Sequence, residues 1–353
     1  MSLTLKYRLL VVLFFLLSQV SGQAQYGAYY FDGWSRNSDH ITPLLKSEFS
    51  EREPIWGWET SSQGIVDRQI ACAANAGLRF FSFCWYAGNP LYLQSKDNAL
   101  AYYLSSPEKS KLAFCLLIAN HEGHLITPEN WEKCTAVWLK LFQDPSYLKA
   151  DGKPLLIFFS VGSILRTFGS VQSVKAHFDK MRMEARSMGL EGVTIAMCAS
   201  PDKRAIDLAE RVGFDVITQY NNHFISLDEG SEQKVNINKL VEAEPKFWTA
   251  IKNQTKLPVI PTITLNWDPR PWANSFNKYD SKPYYEGFNS RSVYRSVLNC
   301  NRWLINNKNN TLKENIALIY AWNENGEGAY LTPTKKEGDK KLKALKRAIA
   351  RMK

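Results

Sequence analysis

The chain has 353 residues, 45% of them hydrophobic and 22% charged, which is enough to fill one large α/β barrel or two ordinary domains and too apolar for global disorder. The formal charge is +10, and much of the excess lies in the last stretch, Lys335 to Lys353. That run reads as a solvated helix face, or as attraction to an acidic partner or an anionic polysaccharide. Nucleic acid is not expected as a partner, because an exported chain without a binding motif has no reason to meet it.

The N-terminus reads as a targeting segment. Lys6 and Arg8 precede an apolar run from Leu9 to Leu17, and Gly22 and Ala24 stand at the minus-three and minus-one places of a cut before Gln25. Residues 1–24 are therefore expected to be a secretory signal peptide, and the mature chain to be exported, periplasmic or extracellular. Losing Lys6 and Arg8 lowers the charge to about +8. The apolar run is short for a membrane span and no stop-transfer sequence follows, so no stable membrane insertion is expected after cleavage; an uncleaved anchor is the alternative.

The mature part alternates. Strand-like apolar runs are predicted at Ala28–Phe31, Phe80–Trp85, Ala113–Ala119, Leu155–Ser160, Val193–Met197, Val216–Gln219, Val259–Leu265 and Ile316–Trp322. Amphipathic stretches are predicted at 62–76, 97–105, 129–142, 171–188, 203–212, 237–254, 290–306 and 338–351. Gly77, Gly189 and Gly213 stand where helices end, and Pro258 stands just before its strand. Eight strands alternating with eight helices predict an α/β fold of one domain over 25–353, a closed parallel (β/α)8 TIM barrel. An open doubly wound sheet is the rival, but no glycine fingerprint follows the first strand. Longer insertions are expected at 33–60 and 265–290. Of the six Cys, Cys84, Cys115 and Cys198 lie in or at the ends of apolar strand-like runs and Cys72 and Cys134 in helical ones, so they read as small buried hydrophobes; if any pair is bridged, Cys84–Cys115 is the one expected.

In a parallel barrel the chemistry collects at the C-terminal ends of the strands. There the chain places Asp32, Trp85, Tyr86, His121, Tyr220, Asn221, Trp267 and Asp268, and after the last strand Asn323, Glu324 and Glu327. The stretch 316–332, IALIYAWNENGEGAYLT, is the most pointed: a buried strand stops, and two carboxylates three apart follow among glycines. Trp322 and Tyr330 flank them with flat apolar surface that suits a sugar ring. Glu324 and Glu327 are thus candidate acid/base groups of an enzyme acting on glycans; the structural alternative is an acidic loop that caps the next helix. The mix of carboxylate, amide, imidazole and indole suits a glycan partner, because hydroxyls take directional hydrogen bonds and the ring face stacks on aromatics. No metal is expected: His121 and His124 are three apart in a loop, not four apart on a helix with Glu between. No cofactor motif is present, and Ser160 lacks the nucleophile-elbow pattern.

Tyr29-Tyr-Phe-Asp-Gly-Trp34, Pro54-Ile-Trp-Gly-Trp58, Phe80-Phe-Ser-Phe-Cys-Trp-Tyr86, Leu117-Ile-Ala-Asn-His121, Asp151-Gly-Lys-Pro-Leu155, Trp267-Asp-Pro-Arg-Pro-Trp272 and Ala321-Trp-Asn-Glu-Asn-Gly-Glu-Gly328 run in order along nearly the whole mature chain. Together they resemble the glycoside hydrolase family 99-like, or WbsX-like, proteins. The resemblance implies a (β/α)8 barrel and a retaining, endo-acting hydrolase of the α-mannosidase and mannanase kind. It implies that Glu324 acts as base on the sugar 2-hydroxyl, giving a 1,2-anhydro sugar. Glu327 would protonate the leaving oxygen and then deprotonate water. It places Asp32, Trp85, Tyr86, His121, Tyr220, Asn221, Trp267, Asp268 and Asn323 for substrate contact. The chain departs from the family at Asn325, where Trp is common. WbsX-like members also carry a glycosyltransferase label, to which an exported chain with poor access to nucleotide sugars is less suited; a glycan-binding protein that has lost catalysis is the other alternative.

Overall fold

The computed structural model describes residues 24–36, 38–87, 98–227 and 232–351. The proposed signal segment, apart from Ala24, lies outside the described residues. Eight parallel strands form the barrel: β1 Gln25–Tyr30, β2 Phe80–Trp85, β3 Ala113–Ile118, β4 Lys153–Phe158, β5 Thr194–Cys198, β6 Val216–Thr218, β7 Thr262–Thr264 and β8 Ile316–Tyr320. Eight helices follow them: α1 Gln63–Asn75, α2 Ala99–Ser105, α3 Pro128–Phe142, α4 Val171–Ser187, α5 Lys203–Val212, α6 Ile237–Lys252, α7 Ser290–Asn306 and α8 Lys340–Ala350.

Strands pair with their chain neighbours from β1 to β6, β8 pairs both β1 and β7, and an Ile217–Val259 bridge closes the ring. Strands covered on both faces need near-continuous apolar sequence, and β2 and β8 are buried along their whole length. Strand β7 is shorter than its apolar run because Pro261 has no N–H to give the ladder. A further helix, Val161–Phe168, opens where the sequence reads as strand end: the Ser160 hydroxyl accepts from Ser163 N at 3.1 Å and caps it.

The two insertions build the mouth. The first carries Trp34, Leu45, Phe49 and Trp58 as a small core against Trp272 of the second. The second adds a short parallel pair, Tyr284–Glu286 with Lys234–Asn236. Helix α8 is less a solvated face than its charge suggests: it buries Leu342, Ala344, Leu345 and Ala348, and Lys341 is buried and ion-paired with Glu337. All six cysteines are free thiols. The expected Cys84–Cys115 bridge does not form, because the register sets Cys84 beside Leu117 and Cys115 beside Ser82. Among the described residues no helix is long and apolar enough to cross a membrane.

Candidate active site

The last strand delivers a small antiparallel hairpin at the barrel mouth, Asn323–Glu324 against Ala329–Tyr330. Its sharp turn depends on two glycines. Gly326 lies flat on the Trp272 indole, where a Cβ would come within 2.2 Å of ring carbons; Gly328 has φ +73° and would meet the Asn266 amide. The turn is pinned from outside: Asp268 N donates to Glu327 O at 2.7 Å, and the Arg52 guanidinium donates to Gly326 O at 3.2 Å.

Glu324 and Glu327 take no part in any ion pair among the described residues. Glu324 is buried; its Oε1 accepts from Tyr220 Oη at 2.9 Å, and its Oε2 is buried without a partner. Burial pushes its carboxyl up to about 7, and the Tyr220 hydrogen bond holds it back. Glu327 keeps some surface open, yet the surrounding protein desolvates its carboxyl and pushes it up to about 8. Desolvation, not the charge on Glu324, is the cause. Both carboxylates act on the same neighbours. After burial, the charge of Glu324 and less strongly that of Glu327 raise the Cys84 thiol, and both raise the Tyr220 phenol. The charges of both acids thus reach Cys84 of β2 and Tyr220 just after β6.

Tyr220 anchors one wall. Its ring packs on Tyr29, Tyr320 and Phe159, and Phe159 meets His121, which with His124 stands edge-on to Tyr86. His223 stacks on Trp267 at 3.9 Å, and Tyr279 stands edge-on to Trp267. Burial, then the charge of Glu327, raises the Tyr279 phenol. Burial lowers His223 to about 4, so its ring is neutral. The Asn221 amide oxygen accepts from His223 Nδ1 at 2.7 Å, leaving Nε2 as an acceptor.

Several of the expected substrate contacts are hydrogen-bonded to the protein itself. Asp268 is buried with both carboxylate oxygens on Arg52 and Arg270. Asn323 pairs with the Phe31 backbone, its Oδ1 accepting from Phe31 N at 2.8 Å and its Nδ2 donating to Phe31 O at 2.7 Å. The Asp32 carboxylate accepts from Ser61 Oγ and, at 2.7 Å, from Ala99 N at the start of α2. Asn221 serves His223. Trp85 is buried against Trp138. Neither Trp322 nor Tyr330 is a sugar platform: Trp322 is fully buried with its indole N–H on Gln69 of α1, and Tyr330 packs against Phe288 and Lys341. Asn325 also faces inward, donating to Arg52 O at 2.8 Å and contacting Thr332. The acids do not serve as a helix cap: nine residues, 331–339, separate Tyr330 from α8.

Of the expected contacts, Tyr220 touches Glu324 directly; Tyr86 and His121 belong to the ring cluster that reaches Tyr220 through Phe159, and Trp267 stacks on His223. His223, His124, Phe159 and Tyr279 are not among the residues the sequence singles out for substrate contact. His223 and His124 carried a signal, their place just after a strand; Tyr279 carried none.

The model of the family described as Glycosyltransferase WbsX matches residues 57–345. No curated protein matches. Among solved structures, a glycoside hydrolase-like protein is similar over 94% of this chain and 95% of its own, with TM-score 0.65 and 17% identity. The family 99 endo-alpha-mannosidase from Bacteroides thetaiotaomicron is similar over 93% of this chain and 97% of its own, with TM-score 0.62 and 13% identity. Its complex with BIS-TRIS-Propane gives 0.61 and 14% over the same spans. Identities this low establish the shared barrel and nothing finer.

Proposed function

This chain belongs to the WbsX family, and from that premise we propose that it is a glycoside hydrolase in which Glu324 and Glu327 carry the reaction. The observation that supports this most is the pair itself: two desolvated carboxyls at one strand end, free of counter-cations among the described residues, one of them held by the Tyr220 phenol. Buried carboxyls left in this condition cost stability, and such groups concentrate at functional sites.

In the reading favoured here, ionised Glu324 takes the proton from a sugar 2-hydroxyl as O2 attacks C1. The C1–oxygen bond to the leaving group breaks, and that oxygen takes the proton of Glu327. A 1,2-anhydro sugar remains. Glu327, now ionised, removes a proton from water as it opens the epoxide at C1, and O2 recovers its proton from Glu324. The two displacements retain configuration, and both acids end as they began. Tyr220 favours the ionised form of Glu324, and burial keeps Glu327 protonated near neutrality. Tyr86, His121, His223 and Trp267 supply the polar and flat surfaces around the sugar. The substrate is a polysaccharide or oligosaccharide, met outside the cytoplasm after export.

The family's description favours a second reading, glycosyl transfer. The same machinery could pass the sugar to a hydroxyl in place of water. The test is a screen of the mature chain against bacterial, fungal and plant polysaccharides, with Glu324→Gln and Glu327→Gln beside it. Cleavage that falls about 10²–10⁴-fold in each folded variant is expected. Binding of a nucleotide sugar without cleavage would favour transfer, and binding of glycans alone would reduce the chain to a lectin.

A further inference from the structure

A cavity of about 330 Å³ opens beside the hairpin, and neither Glu324 nor Glu327 lines it. We propose that it is a second carbohydrate site, taking a neutral polyhydroxylated ring, distinct from the place where bonds are cut. The choice of ligand class rests on the glycan reading above, whereas the chemistry of the cavity stands by itself.

Size comes first. The volume is at the lower end of small-ligand pockets and exceeds what a few trapped waters need. Charge comes second. Four cations and four carboxylates line the walls. Arg52 and Arg270 are both committed to Asp268, and Lys341 to Glu337. Lys336 and Glu286 are exposed at the rim and take part in no ion pair among the described residues, so one unpaired charge of each sign meets an entering ion and the lining as a whole favours neither sign. A neutral molecule with many hydroxyls suits such a lining, since each hydroxyl both donates and accepts.

The third point is an unfilled hydrogen bond. Asn266 lines the cavity and is only 5% exposed. Its Nδ2 donates to Gly328 O at 3.1 Å, but its Oδ1 is buried without a partner. Orphaned buried acceptors are uncommon and mark an absent donor. The fourth is rigidity. Arg270 lies 3.6 Å over the Tyr284 ring, and Lys341 rests on Phe288 and Tyr330, so the polar groups are held in place before a ligand arrives.

The walls are also the outer supports of the catalytic hairpin. Asn266 holds Gly328, Arg52 holds Gly326, and Tyr330 is laddered to Asn323. A sugar bound here touches the segment that carries both acids, so a polymer held at this site is held close to the cutting site.

The experiment is a backbone-amide NMR titration of the mature Glu327→Gln chain with mannose, glucose, galactose and N-acetylglucosamine separately, and with inorganic phosphate. Saturable shifts at Gly287 and Phe288 with at least one sugar and not with phosphate are expected. A Glu286→Ala/Lys336→Ala double variant alters two exposed cavity residues; it should weaken those shifts at least tenfold while shifts at Tyr220 persist. Shifts at Gly287 with phosphate alone, or sugar shifts at Tyr220 alone, would overturn the proposal, as would no response from any probe. If Glu324→Gln and Glu327→Gln leave hydrolysis intact, the catalytic reading fails while this titration still reports on the cavity.

Discussion

The Tyr220 phenol donates to one oxygen of Glu324 at 2.9 Å, while the other oxygen of Glu324 is buried with no partner among the described residues. That hydrogen bond favours the ionised form of Glu324. Tyr220→Phe removes it. The acid limb of kcat/KM should move to higher pH, and the rate at the optimum should fall about tenfold, the worth of one hydrogen bond to a charged group. A pH-rate profile of the variant checks both; an unshifted acid limb would show that Glu324 is not the group being titrated.

For the unmodified chain the same pair predicts a narrow bell. Glu324 must be ionised and rises to about 7, whereas Glu327 must be protonated and rises to about 8. The limbs belong to the pair as macroscopic values. A plateau extending from about pH 5 to about pH 9 would contradict the acid/base assignment.

Stability should follow pH in the opposite sense to an ordinary salt-bridged protein. Glu244, buried in α6 with one oxygen accepting from Thr264 N and the other without a partner, is pushed up to about 8 by desolvation. With Glu324 and Glu327 it makes three carboxyls whose folded pKa lies above the unfolded value of 4.5. Such groups bind protons more tightly when folded, so their contribution is complete below the unfolded pKa and is lost as pH rises through the folded one. Urea midpoints should fall between about pH 5 and about pH 9, and Glu244→Gln should flatten that fall. An unchanged slope in the variant would remove Glu244 from the explanation.

Asp268 is predicted to matter through scaffold and not through substrate. Truncating it takes from the buried Arg52 its close carboxylate and leaves only Glu51 at 3.6 Å, so Asp268→Ala should cost about 3 kcal/mol in denaturant unfolding. Asn323→Ala strands the Phe31 N–H and C=O and should cost about 2–3 kcal/mol. If either variant instead keeps full stability and only loses substrate affinity, the assignment of that residue as a brace is wrong.

Much of the barrel could be read from the chain because each strand and helix announces itself locally, by an apolar run or a helical period. The carboxylate pair could be read for a related reason: apolarity stops at Trp322 and acids begin two residues later. Which way the neighbouring polar groups point could not be read. Asp268 and Asn323 follow strands just as Tyr220 does, but their partners, Arg52 and Phe31, lie 216 and 292 positions away. Only the folded first insertion and first strand end bring them there. Trp322 is deceptive because its indole turns outward onto Gln69 of α1, 253 positions earlier, while Glu324 faces the mouth. Tyr279 belongs to no strand end, so only the path of the second insertion carries it to Trp267.

The most direct measurement compares glycosyl fluoride and unactivated glycan as substrates for the two carboxylate variants. Fluoride leaves without a proton, so Glu327→Gln should still consume the fluoride in a first turnover while losing the unactivated glycan. Glu324→Gln should lose both, because no base remains for the 2-hydroxyl. Equal loss on the two substrates by Glu327→Gln, or turnover of either by Glu324→Gln at the unmodified rate, would contradict the account.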